Sequence, residues 1–131
     1  MIVVDSSALV AIHFNEPEED YFAEIIDSDN EVIISAANFV EAGMVIEGKY
    51  GIGGATDLDT LISELKIVIV PFTPEQAEIA RKAFRTYGKG RHPAKLNICD
   101  CYAYALAKYY DAPLLFKGSD FSQTDIKIAK I

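Results

Sequence analysis

The sequence predicts an α/β fold in which a central, mostly parallel sheet of about four to five strands is flanked by helices. Segments with the apolar spacing of helices alternate along the chain with short runs rich in Val and Ile. Those runs lack the apolar–polar alternation of a half-exposed strand, which is typical of parallel strands covered on both faces. The chain has 131 residues, 50% of them hydrophobic, and no linker or repeat, so we expect one domain over residues 1–131.

The first third of the chain predicts a strand, two helices and a second strand. "MIVVD" is a short β-branched run that leaves no room for a helical turn, and a helix follows from about Ser6 or Ser7. "NEPEEDYFAEIIDSD" predicts a second helix with Pro17 near its first turn and acids at its front, where the helix dipole favours them. "EVIIS" then predicts the second strand.

The middle of the chain predicts two helices and a strand. Ser35 can cap a helix over "AANFVEAGMVIEGKY", in which Phe39, Val40 and Met44 follow helical spacing until two glycines weaken it. "GIGG" is expected to be a loop, and it is not a phosphate cradle because the preceding strand and the glycine spacing are missing. "ATDLDTLISELK" predicts a helix, and "IVIVPF" predicts a strand.

The last elements carry the clearest end signals. "TPEQAEIARKAFRTYG" predicts a helix with Thr73 as cap, Pro74 at its first position and Gly88 at its end. After the loop "KGRHPAK", "LNICDCYAYALAKYY" predicts a helix that runs to about Tyr110. A strand "PLLF", a loop "KGSDFSQTD" and a last short strand "IKIAK" complete the expected order.

Composition excludes several classes of protein. A net charge of −8 argues against a protein that coats nucleic acid by charge alone, although six of the twelve Lys and Arg residues lie within residues 81–95. That segment is either a local basic patch or a solvated helix face. No apolar stretch is long enough to span a membrane and no signal peptide is evident, so we expect a cytoplasmic protein. Cys99 and Cys101 lie too close on one helix for a disulfide and lack partners for a zinc site.

Acidic residues fall at the ends of the predicted elements. Asp5 closes the first strand and Asp120 follows "PLLF", although each could serve only as a cap or turn residue. Glu41 lies inside an apolar stretch and could be an exposed position of an amphipathic helix. Asp100 could form a capping box with Asn97, but small Ala side chains on the same face leave open space beside its carboxylate.

Ligands of an α/β sheet collect at the carboxyl ends of its strands, which is where these acids are expected. Converging carboxylates repel one another until a proton or a cation neutralises them. Oxygen ligands without Cys or His suit Mg²⁺ or Mn²⁺. We therefore expect carboxylate oxygens of Asp5, Glu41 and Asp100 to lie within a few ångströms of a common point.

The segments "IVVDSSAL", "FVEAG", "LNICDCYAYALAK" and "PLLFKGSDFSQTDI" together resemble the PIN-domain ribonucleases, specifically the VapC-type toxins of bacterial toxin–antitoxin pairs. The resemblance spans residues 2–126. It implies a single PIN-like domain whose catalytic acids are Asp5, Glu41, Asp100 and Asp120, with Asp5 and Asp100 binding the metal most directly. It also implies that three neighbouring residues support the site: Ser6, Asn97 and Asp125. Asp125 either takes the place of Asp120 or shares its role.

The resemblance implies an Mg²⁺-dependent endoribonuclease that leaves a 5′-phosphate and a 3′-hydroxyl. It further implies a homodimer and a VapB-type antitoxin. RNA contact is expected from the basic segment, through Arg81, Arg85, Lys89 and Arg91. The alternative is a catalytically inactive PIN-like module that binds RNA or protein. Dehalogenase-like and receiver-like phosphate enzymes are disfavoured, because "IVVDSS" lacks the second acid that each would need.

Overall fold

Four short parallel strands form the centre of the computed structural model, which describes residues 1–131. The strands are β1 (Ile2–Val4), β2 (Val32–Ser35), β3 (Ile67–Val70) and β4 (Leu114–Leu115), in the order β3-β2-β1-β4. In the register of the sheet, Ile2 pairs with Val32 and Val3 pairs with Leu114. The predicted α/β class with a parallel sheet is confirmed, with four strands.

Six helices cover the two faces of the sheet. They are α1 (Ser6–His13), α2 (Glu19–Asp27), α3 (Ala36–Tyr50), α4 (Ile52–Glu64), α5 (Pro74–Tyr87) and α6 (Ile98–Tyr110). Alternate strand residues point to opposite faces, so Ile2 and Val4 pack with α1 to α4 while Val3 packs with α5 and α6. Both faces of β1, β2 and β4 are therefore apolar and buried, which explains why these strands show no polar alternation. Val68 and Ile69 of the edge strand β3 are exposed.

The predicted helix starts are confirmed by their caps. The Ser35 hydroxyl accepts a hydrogen bond of 3.2 Å from the backbone N–H of Ala37. The Thr73 hydroxyl accepts one of the same length from Gln76 N–H, and Pro74 follows as the first residue of α5. These side chains satisfy N–H groups that the first turn of a helix leaves without a backbone partner.

The expectation that "GIGG" is a loop is wrong, because Ile52 and the two glycines after it begin α4. Gly51 alone makes the turn between α3 and α4, with a φ of 67° that favours glycine. A Cβ atom on Gly54 would lie 2.9 Å from both Ile46 Cγ2 and the Ile46 carbonyl oxygen. The glycines thus permit a sharp reversal and a close helix–helix contact.

The expected last strand needs correction, and the structure adds detail to two of the predicted helices. The segment "IKIAK" is not a strand: it makes a single bridge between Leu114 and Ile128, because β4 offers only two residues for pairing. Pro17 lies in the turn before α2, which begins at Glu19. Val40 and Met44 of α3 are 58% and 71% exposed.

The buried residues of α3 are Asn38, Ala42, Gly43 and Ile46, and Asn38, Ala42 and Ile46 are spaced by four along one face. This face packs against the sheet and α6, and it places a polar side chain at the start of the helix in the interior. None of the helices has the length and apolar character that a membrane span requires.

Candidate metal centre

The strand order creates a crevice at the carboxyl ends of β1 and β4. The chain runs from β1 through β2 to β3 on one side and returns to place β4 on the other side of β1. Such a switch of direction is where open α/β sheets bind ligands. Asp5 follows β1 and joins β4 through its backbone N–H, which donates to the Leu115 carbonyl at 2.9 Å. The loop that carries Asp120 begins just after β4.

Asp5 is a buried carboxylate with one oxygen unsatisfied. Its side chain is only 3% exposed, and Oδ2 caps α1 by accepting a hydrogen bond of 3.0 Å from Ser7 N–H. Oδ1 is buried without any hydrogen-bond partner. Burial, reinforced by the charges of Asp100 and Glu41, raises the pKa of Asp5 to about 7. The cap role that the sequence left open is therefore real, but it uses only half of the carboxylate.

Glu41 lies on α3, half-buried, and is held from two sides. The buried Ser6 hydroxyl donates a short hydrogen bond to Glu41 Oε1, and Asn38 Nδ2 lies 3.5 Å from the same oxygen. Neither Ser6 nor Asn38 donates to the other carboxylate oxygen, Oε2. Ser6, expected to support the site, thus acts on Glu41.

Asp100 and Asn97 form the capping box that the sequence suggested. Asn97 Oδ1 accepts from Asp100 N–H at 2.9 Å, and Asp100 Oδ2 accepts from Asn97 N–H at 3.0 Å. Burial raises the pKa of Asp100, and the nearby charges of Asp120 and Glu41 add to this effect. Its second oxygen, Oδ1, remains available beside the cap.

Asp120 begins the short 3₁₀ turn at Phe121–Gln123 without using its carboxylate as a cap. The alternative that it is merely a turn residue bonding its own backbone is therefore not supported. Its charge acts on Asp100, which places it at the same edge of the sheet.

Four carboxylates from separate elements thus influence one another electrostatically: Asp5, Glu41, Asp100 and Asp120. The stricter expectation of a common coordination sphere is not met, because no three acidic, His or Cys side chains are arranged to hold a metal ion. Like charges keep carboxylates apart unless a cation draws them together. The acids lie near one another and have free carboxylate oxygens, but they do not form a complete metal-binding site.

The structure does not bring Asp125 into this neighbourhood. One of its oxygens accepts from the Tyr104 hydroxyl at 2.5 Å, and the other pairs with Lys108 Nζ at 2.9 Å. Both partners lie further along α6 than Asp100, so Asp125 fastens the end of the chain to that helix. The expectation that Asp125 supports the site, or replaces Asp120, is wrong.

Cys99 lies beside the acids without resembling a metal ligand. Burial, together with the adjacent Glu41 carboxylate, raises the pKa of its thiol to about 12. A thiol is a soft ligand, whereas the carboxylate oxygens around it are hard ones. The donor set is therefore one of carboxylate oxygens, which hard divalent cations prefer.

Two of the predicted basic residues line a cavity next to the start of α6. Arg81 and Arg85 border a space of about 510 Å³, with apolar walls that include Phe72, Phe84, Ile98 and Tyr102. Arg91 lies over the Phe84 ring, 5.6 Å from its centroid, whereas Lys89 is exposed in the following loop. Three of the four basic candidates thus gather around one aromatic surface.

Asn38 is the residue of this region that the sequence reading missed. It is fully buried, and its Nδ2 donates to the Cys99 carbonyl oxygen at 2.9 Å. A signal was available, because Asn38 precedes Glu41 by three residues and shares the buried spacing of Ala42 and Ile46.

Comparisons with known proteins agree with this architecture. The family model described as PIN domain matches residues 2–127. Ribonuclease VapC30 of Mycobacterium tuberculosis is 44% identical over 95% of each chain, and Ribonuclease VapC of Mycolicibacterium smegmatis is 42% identical over 95% of this chain and 97% of its own. Among solved structures, M. tuberculosis VapC20, described as a sarcin–ricin loop cleaving toxin, aligns over the whole of both chains with a TM-score of 0.80 at 14% identity.

Proposed function

Because the chain belongs to the PIN-domain family, and within it to the VapC ribonucleases, we propose that it is an Mg²⁺-dependent endoribonuclease and the toxin of a cytoplasmic toxin–antitoxin pair. The observation that carries the metal dependence is the buried, unpartnered Oδ1 of Asp5 among three other carboxylates. A buried anion without a partner is costly. A divalent cation would offset that cost, with Mn²⁺ as an alternative to Mg²⁺.

Each acid has a distinct part in this proposal. Asp5 and Asp100 would hold the cation most directly, since each carries one oxygen free of protein hydrogen bonds. Glu41 and Asp120 would complete the site or orient water against the scissile phosphate. When bound, Mg²⁺ lowers the pKa of a coordinated water and neutralises charge on a phosphodiester. The Ser6 hydroxyl keeps Glu41 in one orientation.

RNA must approach a protein with a net charge of −8. The cavity bordered by Arg81 and Arg85 supplies local positive charge and aromatic surface next to the helix that bears Asp100. Arginine side chains bind phosphates, and unpaired bases stack on aromatic rings. We assign RNA binding to this surface and to Arg91, with Lys89 at its edge.

The proposed partners are those of a toxin. Solved structures of similar fold include VapBC2 of Rickettsia felis bound to promoter DNA and a toxin–antitoxin complex of Klebsiella pneumoniae. We propose a VapB-type antitoxin for this chain, and a homodimer as the form that binds it.

The test is cleavage of a labelled, structured RNA by the purified protein in Mg²⁺ and in EDTA. Cleavage should require the divalent cation, and Asp100→Asn should lower the rate by about 100-fold or more. This variant keeps an oxygen that can accept from Asn97 N–H, so the helix cap survives. Asp125→Asn is the matched control, because that carboxylate lies outside the site, and it should cleave RNA like the parent.

Cleavage that persists in EDTA, or an Asp100→Asn variant as active as the parent, would overturn the proposal. A protein that binds RNA but never cleaves it would instead be an inactive PIN-like binding module.

A further inference from the structure

We propose that Asn38 is a positioning residue that fixes Glu41 and the start of α6 relative to each other and thereby sets the affinity of the site for a divalent cation. The inference rests on the proposed metal-dependent function. It concerns a residue that touches neither cation nor RNA in that proposal and acts through its neighbours.

The burial of Asn38 requires a polar explanation. Its side chain is fully inaccessible and belongs to the face of α3 that otherwise carries Ala42 and Ile46. An amide buried among apolar side chains costs free energy unless it is hydrogen-bonded, so a leucine at this position would satisfy packing alone. Its Oδ1 is buried without a hydrogen-bond partner, so the two partners of its Nδ2 must explain the amide.

The first partner of Asn38 is the backbone of α6. Its Nδ2 donates to the Cys99 carbonyl oxygen at 2.9 Å, and Cys99 directly precedes Asp100. This hydrogen bond links a side chain of α3 to the backbone of the first turn of α6. It joins positions 61 residues apart and sets the distance between the helix that bears Glu41 and the first turn that bears Asp100.

The second partner is Glu41 itself. Asn38 Nδ2 lies 3.5 Å from Glu41 Oε1, the oxygen that also accepts from the Ser6 hydroxyl. With Oε1 occupied from two sides, Oε2 is the oxygen left to face a cation. A glutamate has several rotamers, and holding it in one reduces the entropy lost when a ligand binds.

Metal ligands commonly depend on such supporting hydrogen bonds, whose loss lowers metal affinity about 10–100-fold. We expect Asn38→Leu to weaken Mn²⁺ binding by about that factor, because Glu41 loses one supporting group and α6 loses the hydrogen bond from Asn38 to the Cys99 carbonyl oxygen. Mn²⁺ binding is measured without RNA, by electron paramagnetic resonance of the free ion. Should the leucine variant not fold, Asn38→Ala removes the same donor and suits a helix.

Tyr104→Phe is the matched control. It also removes one hydrogen bond from a buried side chain, on α6, but that bond goes to Asp125 outside the site. Unfolding in EDTA measures what each substitution costs in stability, and the control should bind Mn²⁺ like the parent whatever that cost.

Asn38 variants that are destabilised yet bind Mn²⁺ with parental affinity would overturn the inference and show a purely structural role. A parent protein that binds Mn²⁺ but cleaves no RNA would contradict the nuclease activity while leaving the role of Asn38 intact. A parent that binds no Mn²⁺ would refute both.

Discussion

The Asp5→Asn substitution should stabilise the protein while it abolishes cleavage. Asp5 is 3% exposed, and its Oδ1 has no partner, so the folded chain disfavours the charged form. Burial raises its pKa from 3.8 to about 7. Asparagine has the same shape without the charge, and its carbonyl oxygen can still accept the hydrogen bond from Ser7 N–H that caps α1.

The sign of the pH dependence follows from this raised pKa. Between about pH 4 and pH 7 the folded state holds a proton on Asp5 that the unfolded state has lost, so stability falls as the pH rises through this window. Below about pH 4 Asp5 is protonated in both the folded and the unfolded state, so its charge costs no stability. Above about pH 7 the folded state carries the full free-energy cost of the buried charge. A shift of this size corresponds to about 4 kcal/mol, and relaxation around the charge lowers the expected gain to about 2–4 kcal/mol at pH 8.

Urea unfolding in EDTA, followed by circular dichroism, measures this gain. With an m-value of about 1–3 kcal/mol/M, Asp5→Asn should raise the midpoint at pH 8 by about 1 M or more and change it little at pH 4. Asp125→Asn is the control, because it neutralises a carboxylate that already has Tyr104 and Lys108 as partners, and it should give no such gain. No gain at pH 8, or an equal gain at both pH values, would refute the argument that Asp5 is an uncompensated buried charge.

Three further outcomes are expected. Adding Mg²⁺ at pH 8 should raise the urea midpoint of the parent more than that of Asp5→Asn, because the variant lacks one of the two carboxylates proposed to hold the cation directly. Equal shifts would place the cation elsewhere. The double variant Arg81→Ala, Arg85→Ala should weaken RNA binding, measured by filter binding over a salt series. The slope of log affinity against log salt concentration should fall by about one per arginine. Unchanged RNA affinity with a loss of self-association would identify the cavity as a contact between protomers. Gly54→Ala should lower the free energy of unfolding in urea by about 1–3 kcal/mol, because its Cβ atom would lie 2.9 Å from Ile46. The control Gly53→Ala places a Cβ atom with nothing within 4 Å and should be neutral or stabilising. Equal effects would contradict the close helix contact.

Features that depend on neighbours in sequence were predictable. The capping box of Asn97 and Asp100 spans three residues, and the caps at Ser35 and Thr73 act within three, so their residue types alone indicate the helix starts. The parallel sheet was also predictable, because strands covered on both faces are apolar along their length, and this shows in the local sequence.

Features that depend on distant partners were not predictable. Within "GIGG", Gly51 alone reverses the chain, and α3 packs so closely on Gly54 that a Cβ atom there would lie 2.9 Å from Ile46. No local pattern reveals that contact. Asn38 looks like an ordinary polar residue of a helix until its partner 61 residues away is known. The sequence left Asp125 as an alternative or a partner to Asp120, and only the position of Tyr104 and Lys108 on α6 separates the two.

Asp5 follows β1, Glu41 lies within α3, Asp100 lies in the first turn of α6, and Asp120 lies in the loop after β4. Two of the four acids, Asp100 and Asp120, therefore belong to the last third of the chain. β4, which must pair beside the central β1, is also the last strand to be synthesised. A chain still being synthesised on the ribosome lacks Asp100 and Asp120 until these segments are made. Synthesis proceeds at about 5–20 residues per second. An unfinished chain therefore lacks two of the four acids, and the proposed metal site can form only when synthesis is almost finished.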